Sequence, residues 1–247
     1  MKNLVFTLFV LALSACSLKD GGFFDSGSSG NSKSGSTATI LTYGNYMYAL
    51  DNNKLRTFDL VDPAHPQQTS QQTISATAET LFAYDNFLYI GTTTGVLMYS
   101  LADKSNPRFQ NTVFHWPARD PVVVEGNYAY STTRWGDEFQ NPSGRLTVLD
   151  VKDKANAFVI GTYDQKFPFG LGVSNGYLYV CNGHFGLNIF RIINGGQQLE
   201  FVKNIATDDI YDCIPSEELL VCQTKTGIWV FNIENPGDPV LTHKINN

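Results

Sequence analysis

The sequence predicts an all-β chain, a five-bladed β-propeller built from four-stranded repeats of about 41 residues. Three observations carry this prediction. Tyr48, Tyr89, Tyr130, Tyr179 and Leu220 occupy the same place in one recurring phrase, at spacings of 41, 41, 49 and 41 residues. A period near 40 with several short strands per unit is the signature of a propeller. Each unit also contains a short hairpin turn between two apolar runs, and four of the five turns carry Gly or Asn, which tolerate the positive φ of tight turns. Finally, 12 Tyr, 17 Phe and 3 Trp with modest charge favour pleated, half-buried strands over helices.

The first segment in order is a targeting signal. Met1-Lys2 is a short positive region, and Leu4 to Leu13 is an apolar run too short to span a bilayer. It ends in Leu13-Ser14-Ala15-Cys16, which resembles the bacterial lipobox. The resemblance implies that residues 1–15 are a lipoprotein signal peptide. Cys16 would then be acylated, palmitate included, as the first residue of the mature protein. Several acyl chains on one Cys anchor stably, since each buried CH₂ contributes about 0.8 kcal/mol. Ser17 rather than Asp after the Cys favours the bacterial outer membrane by the same resemblance, on its periplasmic or cell-surface side. Residues 16–38 are rich in Gly and Ser and read as a flexible tether, with a reach of roughly 25 Å.

The propeller is expected over 39–247, with blades at about 39–75, 79–114, 120–163, 169–205 and 210–246. First strands are read at Ile40–Tyr43, Leu81–Tyr84, Val122–Glu125, Leu171–Ser174 and Tyr211–Pro215. The turns that follow are Gly44-Asn45, Asp85-Asn86, Gly126-Asn127, Asn175-Gly176 and Ser216-Glu217. Second and third strands are apolar nearly throughout, as expected of sheets covered on both faces. Fourth strands are more polar, as outer strands would be. The chain starts on a first strand and ends on a fourth, so the ring should close by blade packing rather than through a shared blade. A parallel β-helix fits less well, because the hairpin turns call for antiparallel neighbours.

The repeats resemble the LVIVD repeat family of bacterial secreted and surface proteins. The matching pieces are Gly126-Asn127-Tyr128-Ala129-Tyr130, Leu146 to Val151, Gly186-Leu187, and Thr57 to Pro63 followed by His65-Pro66. The resemblance implies a propeller-like fold and no specific reaction. Units four and five depart from it, with Arg191 and Asn232 in place of the strand-three Asp.

A net charge of −6 with no clustered Lys/Arg excludes a nucleic-acid-binding face. Chemistry is expected at the rim formed by the strand-two to strand-three loops and the blade-entry loops, over the central channel. Blade three is richest there. Its entry loop carries His115, Trp116, Arg119 and Asp120, and an insertion between Thr133 and Ser143 carries Arg134, Trp135, Asp137 and Glu138. Indoles beside charged groups make peptide or carbohydrate platforms. His184 and Phe185 add to this rim. The expectation is a surface-tethered, non-enzymatic binding or scaffold propeller, its partner a protein, peptide or glycan. The alternative is a carbohydrate-active hydrolase using Asp120, Asp137, Glu138, Asp208 or Asp212, a retaining pair standing about 5–5.5 Å apart. The four His residues lack metal-ligand spacing, and no phosphate loop or nucleophile motif is present, so neither metal nor cofactor is expected. Cys213 is expected diagonal to Cys222, and a register slip at Pro215 would bring the two opposite for a disulfide.

Overall fold

The structure, a computed structural model, describes residues 35–115 and 121–246. The signal peptide, Cys16, most of the tether, and Trp116, Arg119 and Asp120 lie outside the described residues. Among the described residues no helix is long and apolar enough to cross a membrane.

Five antiparallel four-stranded sheets form a ring, each made of four consecutive strands. Blade one holds β1 (Ile40–Tyr43), β2 (Tyr46–Asp51), β3 (Lys54–Asp59) and β4 (Gln67–Thr73). Blade two holds β5 (Ala78–Tyr84), β6 (Phe87–Thr92), β7 (Gly95–Ser100) and β8 (Arg108–Phe114). Blade three holds β9 (Val122–Glu125), β10 (Tyr128–Asp137), β11 (Asn141–Asp150) and β12 (Phe158–Gln165). Blade four holds β13 (Leu171–Ser174), β14 (Tyr177–Cys181), β15 (Leu187–Ile193) and β16 (Gln198–Ile205). Blade five holds β17 (Ile210–Ser216), β18 (Leu219–Thr224), β19 (Gly227–Asn232) and β20 (Val240–Asn246). From blade one to blade five, each first strand neighbours the next around the axis.

The apolar middle strands are explained by this stacking. β6 and β7 are buried almost end to end, because a neighbouring blade covers each face. The core accordingly lies between blades: one cluster joins blades one and two, another spans two to four, and a third joins four and five. Every blade carries a register shift at the same place in its third strand: Thr57/Phe58, Met98/Tyr99, Val148/Leu149, Ile189/Phe190 and Val230/Phe231. Such bulges increase twist and bend the outer strand. The strand-three acid of the repeat caps the loop that follows. Asp59 Oδ1 accepts from Val61 N at 2.8 Å, and Asp150 Oδ1 from Lys152 N at 2.9 Å. Asn232 keeps this role with Oδ1 accepting from Glu234 N at 3.0 Å, whereas Arg191 abandons it and pairs with Glu200.

The aligned aromatics are the joints between blades. Tyr48, Tyr89, Tyr130 and Tyr179 are all fully buried. Three of their hydroxyls donate to a carbonyl in the strand-three to strand-four connection of the next blade. Tyr48 reaches Lys104 O at 2.9 Å, Tyr130 reaches Gly196 O at 3.0 Å, and Tyr179 reaches Pro236 O at 3.0 Å. Gly196 must be glycine, since its φ is +112° and a Cβ would meet the Tyr128 ring. The Tyr89 hydroxyl is buried without a partner among the described residues.

Three sequence expectations are corrected. The blade-three insertion is not a swollen loop: β10 and β11 extend as a paired hairpin, from Thr133 opposite Arg145 to Asp137 opposite Asn141. The tether does not run to residue 38. Ser36 is 1% exposed and packed into the ring, because its hydroxyl finds buried partners there. The last hairpin turns at Glu217-Glu218, with Glu217 at φ +55°, not at Ser216-Glu217. This shift sets Cys213 directly opposite Cys222 rather than Leu220. The two are nonetheless free, as is Cys181. The Cys213 thiol turns toward blade four, donating to Tyr179 O at 3.7 Å and lying in hydrogen-bond contact with the Cys181 thiol. Burial pushes the Cys181 and Cys222 thiols well up, which keeps them protonated and unreactive.

Tyr130→Phe should lower stability by about 1 kcal/mol in chemical denaturation, since it strands the Gly196 carbonyl. Tyr89→Phe, which removes an unpaired buried hydroxyl, should be neutral or stabilising. Equal losses in both variants would refute the joint role.

Candidate functional site

The extended hairpin of blade three builds the rim. Its tip is a tight turn: Gly136 has φ +81°, and Asp137 Oδ1 accepts from Phe139 N at 3.0 Å and Gln140 N at 2.9 Å. Asp137 is therefore spent on shaping the turn. The tip leans over blade four, where Glu138 Oε1 accepts the His184 amide at 2.9 Å. Phe139 packs on the His184 ring at 6.0 Å between centroids. Gly183 makes this approach feasible, since any Cβ there would meet Glu138 and the Phe169 ring. His184 Nδ1 then lies 3.3 Å from Asp209 Oδ1 of blade five, and Asp209 Oδ2 lies 3.2 Å from Lys225 Nζ. One polar chain thus runs Glu138, His184, Asp209, Lys225 across three blades.

Inside this arc, a cleft of about 340 Å³ opens at the channel mouth. It is lined by Arg134, Phe169, Tyr211 and Asp212, together with Thr37, Glu79 and Gln223. The Arg134 guanidinium sits 4.2 Å over the Phe169 ring, and Phe169 meets Tyr211 edge to face at 5.3 Å. Asp212 forms the floor. Its carboxylate accepts from Ser36 Oγ at 3.0 Å, Thr37 Oγ1 at 2.6 Å and Cys213 N at 2.9 Å. Ser36 Oγ in turn accepts from Leu171 N at 2.8 Å. The segment entering blade one is thereby clasped onto blades four and five. Burial raises the Asp212 carboxyl above its ordinary pKa, against the lowering effect of those hydrogen bonds. Gly170 is required beside it, because a Cβ would collide with the carboxylate.

The expected site residues divide. Arg134 lines the cleft, and Glu138 and His184 join in the polar chain. Trp135 does not offer an open platform, since the Arg145 guanidinium lies 5.6 Å over its indole. Phe185 points away toward Lys166, at 4.8 Å. His115 is kept neutral, burial lowering its pKa to about 4. Asp208 is half-buried at the entry to blade five, its carboxyl held low chiefly by a hydrogen bond from Thr226. Sequence reasoning missed Glu79, Phe169, Tyr211 and Gln223. The Phe167-Pro168-Phe169 run was the visible signal, because two aromatics flanking a Pro at a blade entry are costly to leave exposed.

The ring and its built-up rim define a five-bladed β-propeller with its irregular features gathered over the channel mouth. The chain carries LVIVD repeats: the LVIVD repeat model matches residues 34–71 and 118–165, which hold blades one and three. No curated protein sequence matches the chain. Among solved structures, the computationally designed Ika8 protein aligns with TM-score 0.59 and 14% identity, covering 83% of this chain and 60% of Ika8. The Pseudomonas aeruginosa periplasmic gluconolactonase aligns with TM-score 0.61 and 14% identity, covering 82% of this chain and 68% of its own. A Lactobacillus plantarum protein aligns with TM-score 0.62 and 14% identity, covering 83% and 72%. At these identities the likeness is one of fold. The chain spans about 60% of the length of Ika8.

The Asp212 clasp predicts a pH dependence. Its folded pKa is raised, so at a pH between the unfolded and folded values the native state holds a proton that the unfolded chain gives up. The resulting stability is fully present below the unfolded carboxylate pKa and is lost as pH rises through the folded one. Denaturation of wild type and Asp212→Asn at acidic and neutral pH should show the wild type losing ground to the variant as pH rises. A difference independent of pH would refute it.

Proposed function

We propose that this is a non-enzymatic binding propeller, tethered to the bacterial outer membrane through Cys16, whose partner is a protein docking over the channel mouth. The observation that carries this reading is the use already made of the cleft's aromatic faces. Phe169 carries Arg134 over its face and is braced by Tyr211, and on the hairpin outside the cleft's lining Trp135 carries Arg145 over its indole. A sugar ring stacking at the mouth would find those faces taken. What the mouth offers instead is a rigid rim of charged and amide groups beside ring edges, the mixture that suits a protein surface.

The same geometry weighs against hydrolysis. Asp137 is consumed by its turn and Asp212 by the clasp, so neither is left as an unencumbered member of a carboxylate pair. The gluconolactonase neighbour shares a fold, and its named activity does not transfer with it.

A photo-crosslinking residue in place of Tyr211, in the full chain on its native cells, should capture one discrete partner. The same residue at Val240 on the outer strand should not. Arg134→Ala should then weaken that complex by about 2 kcal/mol. Absence of any adduct at 211, or turnover of a glycoside or gluconolactone by the purified chain, would overturn the proposal. Separately, Cys16→Ala should move the protein from the detergent-extracted membrane fraction to the soluble fraction. Retention on membranes would sink the tether.

A further inference from the structure

We infer that the cleft at the channel mouth is a recess for one cationic side chain, a lysine or an arginine of the docking protein, with Glu79 as its counter-charge. This rests on the reading of the mouth as a protein-docking face, and it adds the chemistry that the partner must bring.

Two bulges build the recess. In blade two, Ala78 pairs with Thr92 and Thr80 with Gly91, so Glu79 is an extra residue with no partner across the ladder. In blade five, Ile210 pairs with Thr224 and Asp212 with Gln223, so Tyr211 is extra in the same way. The first strands of blades one, three and four pair without such a shift. A bulge re-aims the side chain it carries. Both bulged residues line the cleft, which they share with Gln223. At about 340 Å³ the cleft lies near the lower end of the roughly 300–1,000 Å³ range of ligand pockets, so it takes one long side chain rather than a segment of chain.

Glu79 selects the charge. Other carboxylates of the mouth are already answered: Asp137 by its turn, Asp212 by the clasp, Glu138 by the His184 amide, and Asp209 by Lys225 and His184. Glu79 is half-buried, and among the described residues its carboxylate has neither an ion pair nor a hydrogen bond. Arg134, in the same cleft, has its guanidinium 4.2 Å over Phe169 and donates to Pro168 O at 3.4 Å. The surroundings are acidic. Burial raises the pKa of the Tyr211 hydroxyl, and Asp209, Glu138 and Asp208 add to that rise against Lys225. An anionic side chain would be repelled here. A bare metal ion would lack ligands, since no group of three His, Cys, Asp or Glu among the described residues could hold one. A lysine or arginine fits on each count. Its head pairs with Glu79, a hydroxyl and an amide oxygen are at hand for its other N–H groups, and its stem packs on the ring edges of Tyr211 and Phe169.

The test titrates the full chain, in detergent, with the Nα-acetyl amides of arginine, lysine, citrulline and glutamate, read by ligand-observed NMR. Citrulline is the neutral isostere of arginine. Arginine or lysine should bind saturably with a millimolar Kd, and citrulline and glutamate should not. Glu79→Gln should weaken the binding about tenfold or more, and Glu79→Asp, which keeps the charge, should restore part of it. The contrast between arginine and citrulline on the unaltered chain decides the matter even if the variants misfold. Equal binding of citrulline, preference for glutamate, no saturable cation binding, or cation binding that survives Glu79→Gln would overturn the inference. If no cation binds while crosslinking from position 211 still captures a partner, the recess fails and docking over the mouth stands. If a cation binds and no partner is captured, the reverse holds.

Discussion

A tyrosine hydroxyl buried between two blades has to find an acceptor, and the ring is organised around that requirement. Tyr48, Tyr130 and Tyr179 find theirs in the connection between strands three and four of the following blade. Each bond fixes both the distance and the rotation of one blade against the next, which apolar packing alone would leave loose. A second contact repeats beside it. The hydroxyls of Tyr43 and Tyr84, at the ends of first strands, accept from the amides of Asn86 and Gly126 in the next blade's turn, at 3.1 and 2.8 Å. Lysines brace the same joints, Lys104 over the Tyr43 ring and Lys154 over Phe87. The Tyr89 joint lacks its own hydroxyl bond and relies on the Tyr84–Gly126 bond, the lysine and the apolar face.

The joint that closes the ring cannot use this device. Leu220 stands where the tyrosine would be, and it has no hydroxyl to give. The Ser36–Thr37–Asp212 clasp lies where blade one must be held to the end of the chain. It works differently: two hydroxyls and an amide satisfy one buried carboxylate, and the chain entering blade one crosses the channel mouth to reach it. Closure and rim are consequently one structure. The same crossing supplies Thr37 to the cleft wall and occupies the carboxylate that might have served chemistry.

Much of the fold was legible because it is periodic. The aligned tyrosines, the turn dipeptides and the two-sided apolar strands each report a local rule, and repetition multiplies the signal. The site was less legible, because it is made where the period fails. Arg134 and Glu138 stood out as an insertion, yet whether that insertion formed a loop or a longer hairpin depended on pairing that extends a ladder with polar residues. Asp137 and Glu138 are adjacent in sequence, but one closes a turn and the other reaches across to His184. Only the direction of a hairpin tip separates them. The partnership of Ser36 with Asp212, 176 positions apart, left no trace in the pattern. The Cys213 register failed for a smaller reason: a Glu accepted positive φ in a turn where Gly or Asn was sought.

The two rim features also differ in what they leave unsatisfied. At the channel mouth the buried charge is already answered: Asp212 has three donors, and Phe169 carries its cation on its face. A partner there gains by shape and by pairing at the edges, without repairing a defect. Where blades three and four meet, the Gln165, Asn182, Asn188 and Asn204 amides bond to one another, and the Asn182 Oδ1 is left closed off without a partner among the described residues. The propeller repeat accounts for neither feature. Both rest on residues that the repeat does not need for folding: the paired arm of blade three, and the Gln165, Asn182, Asn188 and Asn204 amides at the meeting of blades three and four.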